Sequence, residues 1–319
     1  MAERPVLVLT RLDDPTSDAV ITELGRRGVP VMRLDPGDFM TGGVHLAARY
    51  GPEGMSGIVR TSSREVRLEQ VRSVYLRRPS DYVVPEGLDG QDARFALAQA
   101  RHGLGGVLGA LDSRSCRYVN HPWNVMRHDH KPAQWAAAAR HGFHVPATLV
   151  TNSVEEARTF ASAHGPIVYK PLRITPFRGQ DGHAVTLWVE VVDPSELDER
   201  IAVTAHVFQT ATPGKVADLR ITVIGDHAFG VRIDSPHLDF RRDYQQVQYS
   251  IWDVPAKLAD SCRTYMAEFG LLFGAFDFGL RGDGSFDFYE CNSAGQWHWL
   301  QAETGLPMTA ALADLLEKP

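Results

Sequence analysis

Apolar positions along this chain recur in two rhythms, and the change of rhythm marks out its elements. PVLVLT (5–10) is a short continuous apolar run, the pattern of a buried strand. After a polar stretch rich in Asp, SDAVITELGRRG (17–28) spaces its apolar residues helically and stops at a glycine. VPVMRLD (29–35) reads as a second strand, so the opening predicts a right-handed parallel unit in a small α/β lobe. Residues 44–50 and 56–68 read as hairpin strands, 71–80 as a strand running into a loop, and 91–112 as a helix. Within that helix, GLGGVLG (103–109) places its third glycine one position late for a dinucleotide fingerprint and follows no strand; close helix packing explains these glycines better.

A second region begins at residue 118. Pro132 suits the first turn of a helix that alanines propagate and Gly142 closes, with Asp129 as its cap. A strand follows, then a helix with Ser153 and Glu156 spaced as a capping box. PIVYKPL (166–172) is a strand carrying Lys170, TPFRGQDGH (175–183) a polar loop, AVTLWVEVV (184–192) a strand and PSELDERIAVT (194–204) a helix. The third region opens near residue 206, with strands on either side of IGDHA, a Gly-Asp hairpin turn, and an amphipathic helix over 255–270. The expected lobes are therefore 1–117, 118–205 and 206–319.

The last hairpin carries the chemistry. In FDFYECN (286–292), strand alternation puts Phe286, Phe288, Glu290 and Asn292 on one face, where the last two need polar partners. A four-residue turn at 281–284 would make Asp277 a diagonal neighbour of Glu290, about 7–8 Å away. Two carboxylates and a carboxamide form an all-oxygen set, suited to Mg²⁺ on nucleotide phosphates rather than to zinc. Pairing of Asp277 and Glu290 with nearby arginines is the plainer alternative. The HDH at 128–130 lacks the spacing of a metal site on one helical face.

Bulk properties exclude several classes. A hydrophobic content of 44%, a charged content of 23% and a net charge of −6 describe a globular chain with no basic surface for nucleic acid. The apolar run after the first charges is too short for a signal-peptide core, and nothing later suggests a membrane span. Cys116, Cys262 and Cys291 have neither metal spacing nor a disulfide framework, which points to a reducing cytoplasm.

Taken in order, Lys131, Lys170, FQTA (208–211), DLR (218–220), Asp277 and ECN (290–292) resemble the ATP-grasp ligases over about residues 118–319, with 1–117 resembling the smaller pre-ATP-grasp lobe. YLRRPS, VNHPWN and ECNSAGQW look most like the graspetide (microviridin-type) maturases, which join Asp or Glu side chains to Ser, Thr or Lys side chains of a ribosomal precursor peptide as macrocyclic esters or amides. The resemblance implies an α/β chain with α+β lobes, ATP and two Mg²⁺ as cofactors, and a leader-tethered peptide partner; such enzymes often form homodimers. It implies that Lys131 and Lys170 approach ATP phosphate, and that 175–183 is a lid with Gly179 and Gly182 as hinges. The backbone of Phe208, Gln209, Thr210 and Ala211 would meet the adenine edge, although many relatives have Glu where this chain has Thr210. Asp277, Glu290 and Asn292 would hold magnesium; Arg220, and more weakly Arg232, would neutralise phosphate and carboxylate, with Asp218 assisting deprotonation. Arg77 and Arg78 could steer an acidic peptide, and Trp297, His298 and Trp299 could line an acceptor pocket. Two alternatives stay open: a ligase for free amino acids or short peptides, and a nucleotide-binding protein without ligase activity.

Overall fold

A computed structural model describes residues 4–173 and 188–318 in full, and between them only the backbone pairing of Phe177–Arg178 with Ala184–Val185. The first lobe is built from β1 (Val6–Thr10), α1 (Pro15–Arg26), β2 (Val31–Leu34), β3 (Val44–Gly51), β4 (Gly54–Thr61), β5 (Glu65–Arg67), β6 (Ser73–Arg78), α2 (Gly90–Gly109) and β7 (Arg117–Val119). Its main sheet runs β2-β1-β6-β7, every neighbouring pair parallel, with β1 wholly buried at the centre. The stretch 56–68 is two strands rather than one, because a turn returns the Thr61 N–H to the Arg64 carbonyl at 2.8 Å. The glycines of α2 do not pack closely. A Cβ at Gly103, Gly105 or Gly106 would meet nothing within 4 Å, and only Gly109 sits against Trp123.

The chain continues through α3 (Pro122–His128), α4 (Lys131–Arg140), β8 (Thr148–Thr151), α5 (Val154–His164), β9 (Ile167–Lys170), β10 (Phe177–Arg178), β11 (Ala184–Val185), β12 (Glu190–Val191) and β13 (His206–Thr210). His130, not Asp129, caps α4; Asp129 closes α3. Half of the capping box forms, since the Ser153 hydroxyl accepts from the Glu156 N–H at 3.3 Å while the Ser153 N–H goes to Thr151. Residues 194–203 make two 3₁₀ turns instead of a helix, each opened by an aspartate that caps its own i+2 N–H. The second sheet runs β12-β9-β13-β8, so the strand at 206–210 pairs with this sheet and not with the one after it.

The remaining elements are β14 (Lys215–Ile224), β15 (His227–Asp234), β16 (Gln248–Ile251), α6 (Ala256–Phe269), β17 (Phe273–Arg281), β18 (Phe286–Asn292), α7 (His298–Thr304) and α8 (Met308–Glu317). The third sheet, β16-β15-β14-β17-β18, is antiparallel throughout. One of its faces buries Leu219, Phe276, Phe278 and Phe288 against Tyr265, Met266 and Phe269 of α6. The last helix turns back to the first lobe: α8 shares a core with Val6 and Val8, and the Leu316 carbonyl accepts from the Ser73 hydroxyl at 2.7 Å. No helix among the described residues is long and apolar enough to cross a membrane.

Candidate active site

A cavity of about 1000 Å³ opens between the second and third sheets, reaching the edge of the first lobe at Arg78. Its chemistry depends on one irregularity. The β17–β18 turn closes with Leu280 opposite Phe286, an odd-length loop that by alternation alone would set Asp277 against Tyr289. A bulge at Tyr289 shifts the register, so Asp277 lies directly opposite Glu290 and Ala275 opposite Asn292. The single shared face expected for 286–292 is therefore split: Phe286 and Phe288 pack on the α6 side, while Tyr289, Glu290 and Asn292 line the cavity.

Four charged groups meet there. The Asn292 amide donates to Asp277 Oδ2 at 3.0 Å and to Glu290 Oε1 at 3.2 Å. Lys131, the first residue of α4, places its ammonium on Glu290 Oε2. A lysine is unfavourable at the positive end of a helix, and Glu290 supplies the compensating anion. Two bonds pin α4 over β18: Trp135 Nε1 donates to the Tyr289 carbonyl at 3.0 Å, and Gln134 Oε1 accepts from the Cys291 N–H at 2.9 Å. Arg220, opposite Asp277 on β14, donates Nη1 to both carboxylate oxygens and Nη2 to the Gln296 carbonyl at 3.2 Å. Gly295 makes that approach possible, because a Cβ there would lie 2.6 Å from Ala275 Cβ and 3.1 Å from Arg220 Nη2.

These neighbours set the protonation states. Burial works to raise the Glu290 pKa, but the Lys131 ammonium and the Asn292 amide overcome it and hold it at about 2. For Asp277, burial wins over Arg220 and the pKa moves up. Lys170 donates to Gln209 Oε1 at 2.6 Å and lies 4.1 Å above the Tyr289 ring; burial lowers its pKa to about 8. The Tyr289 hydroxyl meets Thr212 Oγ1 at 2.6 Å, in space that a Cβ at Gly279 would occupy at 2.0 Å. Asp218 pairs with Lys215 at 2.7 Å and is raised by burial to about 6.

Other expected positions lie elsewhere. Arg232 is opposite Leu219 in the ladder, so it belongs to the α6 face; it binds Asp234 and does not line the cavity. Phe208 is buried in the core beneath α5, and Gln209 is spent on Lys170 and Thr148. Thr210 and Ala211 do line the cavity, but their N–H groups donate to the carbonyls of Ala147 and Pro166 and are not offered to a ligand. Arg77 is 2% exposed and donates to the Ala294 carbonyl, which removes it from any steering surface. Trp297 is fully buried, whereas Trp299 lines the cavity with Tyr249 at 4.9 Å between rings. The lid and its hinges Gly179 and Gly182 lie outside the described residues. His128 is buried against Tyr265, and no cluster of three or more His, Cys, Asp or Glu occurs among the described residues.

A parallel α/β lobe followed by two sheets that face each other across lysines, an arginine and paired carboxylates is the architecture of the ATP-grasp fold. Residues 5–125 match the family model of the MvdD pre-ATP grasp domain. Among solved structures, the macrocyclase MdnC of Microcystis aeruginosa MRC, bound with precursor peptide MdnA, is 26% identical with a TM-score of 0.87, covering 98% of each chain. A RiPP-associated ATP-grasp ligase of Chryseobacterium gregarium, in complex with ADP and a leader and core peptide, is 26% identical with a TM-score of 0.89, over 98% of this chain and 96% of that one. The macrocyclase MdnB of Microcystis aeruginosa MRC is 27% identical with a TM-score of 0.83, over 98% and 99%. No curated protein sequence matches. Over nearly its whole length the chain is thus similar to ATP-grasp ligases of the graspetide-maturase type, and these matches support ligase activity.

Proposed function

We propose that this enzyme uses ATP to join carboxylate side chains of a ribosomal precursor peptide to hydroxyl or amine side chains of the same peptide, closing macrocycles. The observation that carries this reading is the convergence of Lys131, Glu290, Asn292, Asp277 and Arg220 on one wall of the cavity, with Lys170 stacked on Tyr289 beside them. The relatives crystallised with peptides or with ADP supply the substrate class.

The donor set fits magnesium. Asp277 and Glu290 offer carboxylate oxygens on paired strands, and Asn292, whose amide nitrogen bridges them here, adds a carbonyl oxygen once its carboxamide turns over. Magnesium held by these three would neutralise charge on the ATP phosphates. Lys131 and Lys170 would bind the same phosphates, and Arg220 would draw the peptide carboxylate toward the γ-phosphorus. Attack by the carboxylate oxygen releases ADP and leaves an acyl phosphate. The hydroxyl or amine then attacks its carbonyl, inorganic phosphate departs, and Asp218 accepts the proton. Both Thr210 and Ala211 would contact the nucleotide through side chain and carbonyl, since their N–H groups are engaged.

Co-expression with a candidate precursor peptide, read by mass spectrometry, tests the proposal. Loss of one water per crosslink is expected, and an unmodified peptide in the presence of ATP and magnesium would refute it. A pH dependence follows from the same site. With Asp218 at about 6 and Lys170 at about 8, the rate of crosslink formation should rise as Asp218 ionises and fall as Lys170 loses its proton. Asp218→Asn should remove the acid limb and leave the alkaline one. An unchanged acid limb in that variant would take Asp218 out of the proton transfer.

A further inference from the structure

The parallel sheet of the first lobe has strand order β2-β1-β6-β7, so the chain leaves β1 toward one side while β6 and β7 lie on the other. The crevice beyond the carboxyl ends of β1 and β6 is thus the topological switch point, the place where open α/β sheets bind ligands. Here the pairing is irregular: the β1–β6 register shifts between Leu9 and Thr10, and the Arg11 N–H donates to the Arg78 carbonyl at 3.1 Å. Three guanidinium groups, from Arg11, Arg77 and Arg78, gather at this edge against two carboxylates, Asp13 and Asp14. Asp14 is buried, accepts from Thr10 and Ser17 at 3.1 and 2.7 Å, and lies 3.5 Å from Arg77 Nε. Asp13 pairs with Arg11 at 2.9 Å. Arg78 alone of the three has no ion pair among the described residues, and it is the one that lines the cavity. Burial, then the charges of Arg11 and Arg77, lower its pKa, the signature of a cation awaiting an anion.

Resting on the peptide-ligase reading, we infer that Arg78 at the β1–β6 crevice is a subsite for a second carboxylate of the peptide, one that is not being activated. Under that reading Arg220, paired with Asp277, takes the carboxylate that is activated, and Lys131, paired with Glu290, takes phosphate, which leaves Arg78 for a second carboxylate. Such a subsite selects acidic peptides and, by holding one carboxylate near Ala294 and Gly295, offers a neighbouring one to the phosphate-binding wall. An arginine suits this role because its fork binds both oxygens of a carboxylate.

The test is equilibrium binding, without ATP, of a fluorescein-labelled decapeptide of alternating Glu and Thr and of its Gln-for-Glu counterpart to the full chain. The wild type should prefer the Glu peptide. In Arg78→Ala and Arg78→Gln that preference should fall about tenfold, and Arg78→Lys should recover part of it. ADP affinity, measured on the same samples, should stay within about twofold while the Glu preference changes. An unchanged preference in both variants, no preference in the wild type, or a parallel loss of ADP affinity, which would make Arg78 a nucleotide contact, each overturns the inference. Because no turnover is measured, a chain that fails to crosslink its precursor refutes the ligase reading without deciding this one.

Discussion

Glu290→Gln is expected to abolish crosslink formation while leaving a folded chain. The substitution preserves shape and the hydrogen bond from Asn292, and removes only charge. That charge holds the Lys131 ammonium and, under the proposed function, would give a hard cation its second carboxylate. With only Asp277 left, whose own pKa burial pushes up, the site has lost its stable anion. A decrease in kcat of at least about 10²-fold is expected, on the scale of removing a preorganised electrostatic partner. The folded state also suffers, because Lys131 is left part-buried without its partner; about 1–3 kcal/mol is expected, since both side chains retain some solvent. Glu290 has its pKa lowered from 4.5 to about 2, so its stabilisation is present at neutral pH and is lost as the pH falls between those values. Thermal melts from pH 7 to 3 should therefore be shallower for Glu290→Gln than for the wild type. Full turnover in this variant, measured by mass spectrometry, would remove Glu290 from the metal site.

What the sequence disclosed follows from how local each signal is. The parallel opening unit, the Gly225–Asp226 hairpin and the amphipathic α6 rest on period and turn chemistry within about ten residues, and the structure has them. The junction of Asp277 with Glu290 was legible only through a wrong count. The odd-length turn reverses the alternation that a four-residue turn would have given, and the Tyr289 bulge reverses it again. A bulge leaves no periodic trace when its residue is as strand-compatible as tyrosine. The same dependence on register sent Arg232 to the wrong face, since its position relative to Arg220 is set by the β14–β15 pairing.

Long-range partners were the least visible. Asn120 is buried, donates to the carbonyls of Phe273 and Ser293 at 2.8 Å each, and accepts from the N–H groups of Leu272 and Phe273. It ties the end of β7 to the start of β17 and to the residue that follows β18, and nothing in VNHPWN alone announces that task. Trp135 and Gln134 likewise place Lys131 by bonding backbone 154 and 157 positions away. Such groups look like ordinary helix residues until the fold supplies the orphaned backbone they satisfy.

Arg220→Ala should impair the chemical step far more than nucleotide binding. The guanidinium spans two elements: Nη1 grips Asp277 on β17 and Nη2 the Gln296 carbonyl beyond β18, while Nε is buried with no partner among the described residues. An unsatisfied buried donor is costly unless something enters to meet it, and a substrate oxygen anion arriving in the cavity would do so. Removing the side chain takes away that donor and also the cation beside Asp277, whose carboxyl then keeps its proton more readily. The expected result is a kcat lowered by about 10²–10³-fold, with KM for ATP changed less than about threefold. Arg220→Lys should not rescue it, because one ammonium cannot serve both Asp277 oxygens and the Gln296 carbonyl at once. A melting temperature near that of the wild type, combined with this split, separates a catalytic loss from unfolding. If ATP affinity collapsed while kcat held, Arg220 would belong with Lys131 and Lys170 on the phosphates instead of at the acyl centre.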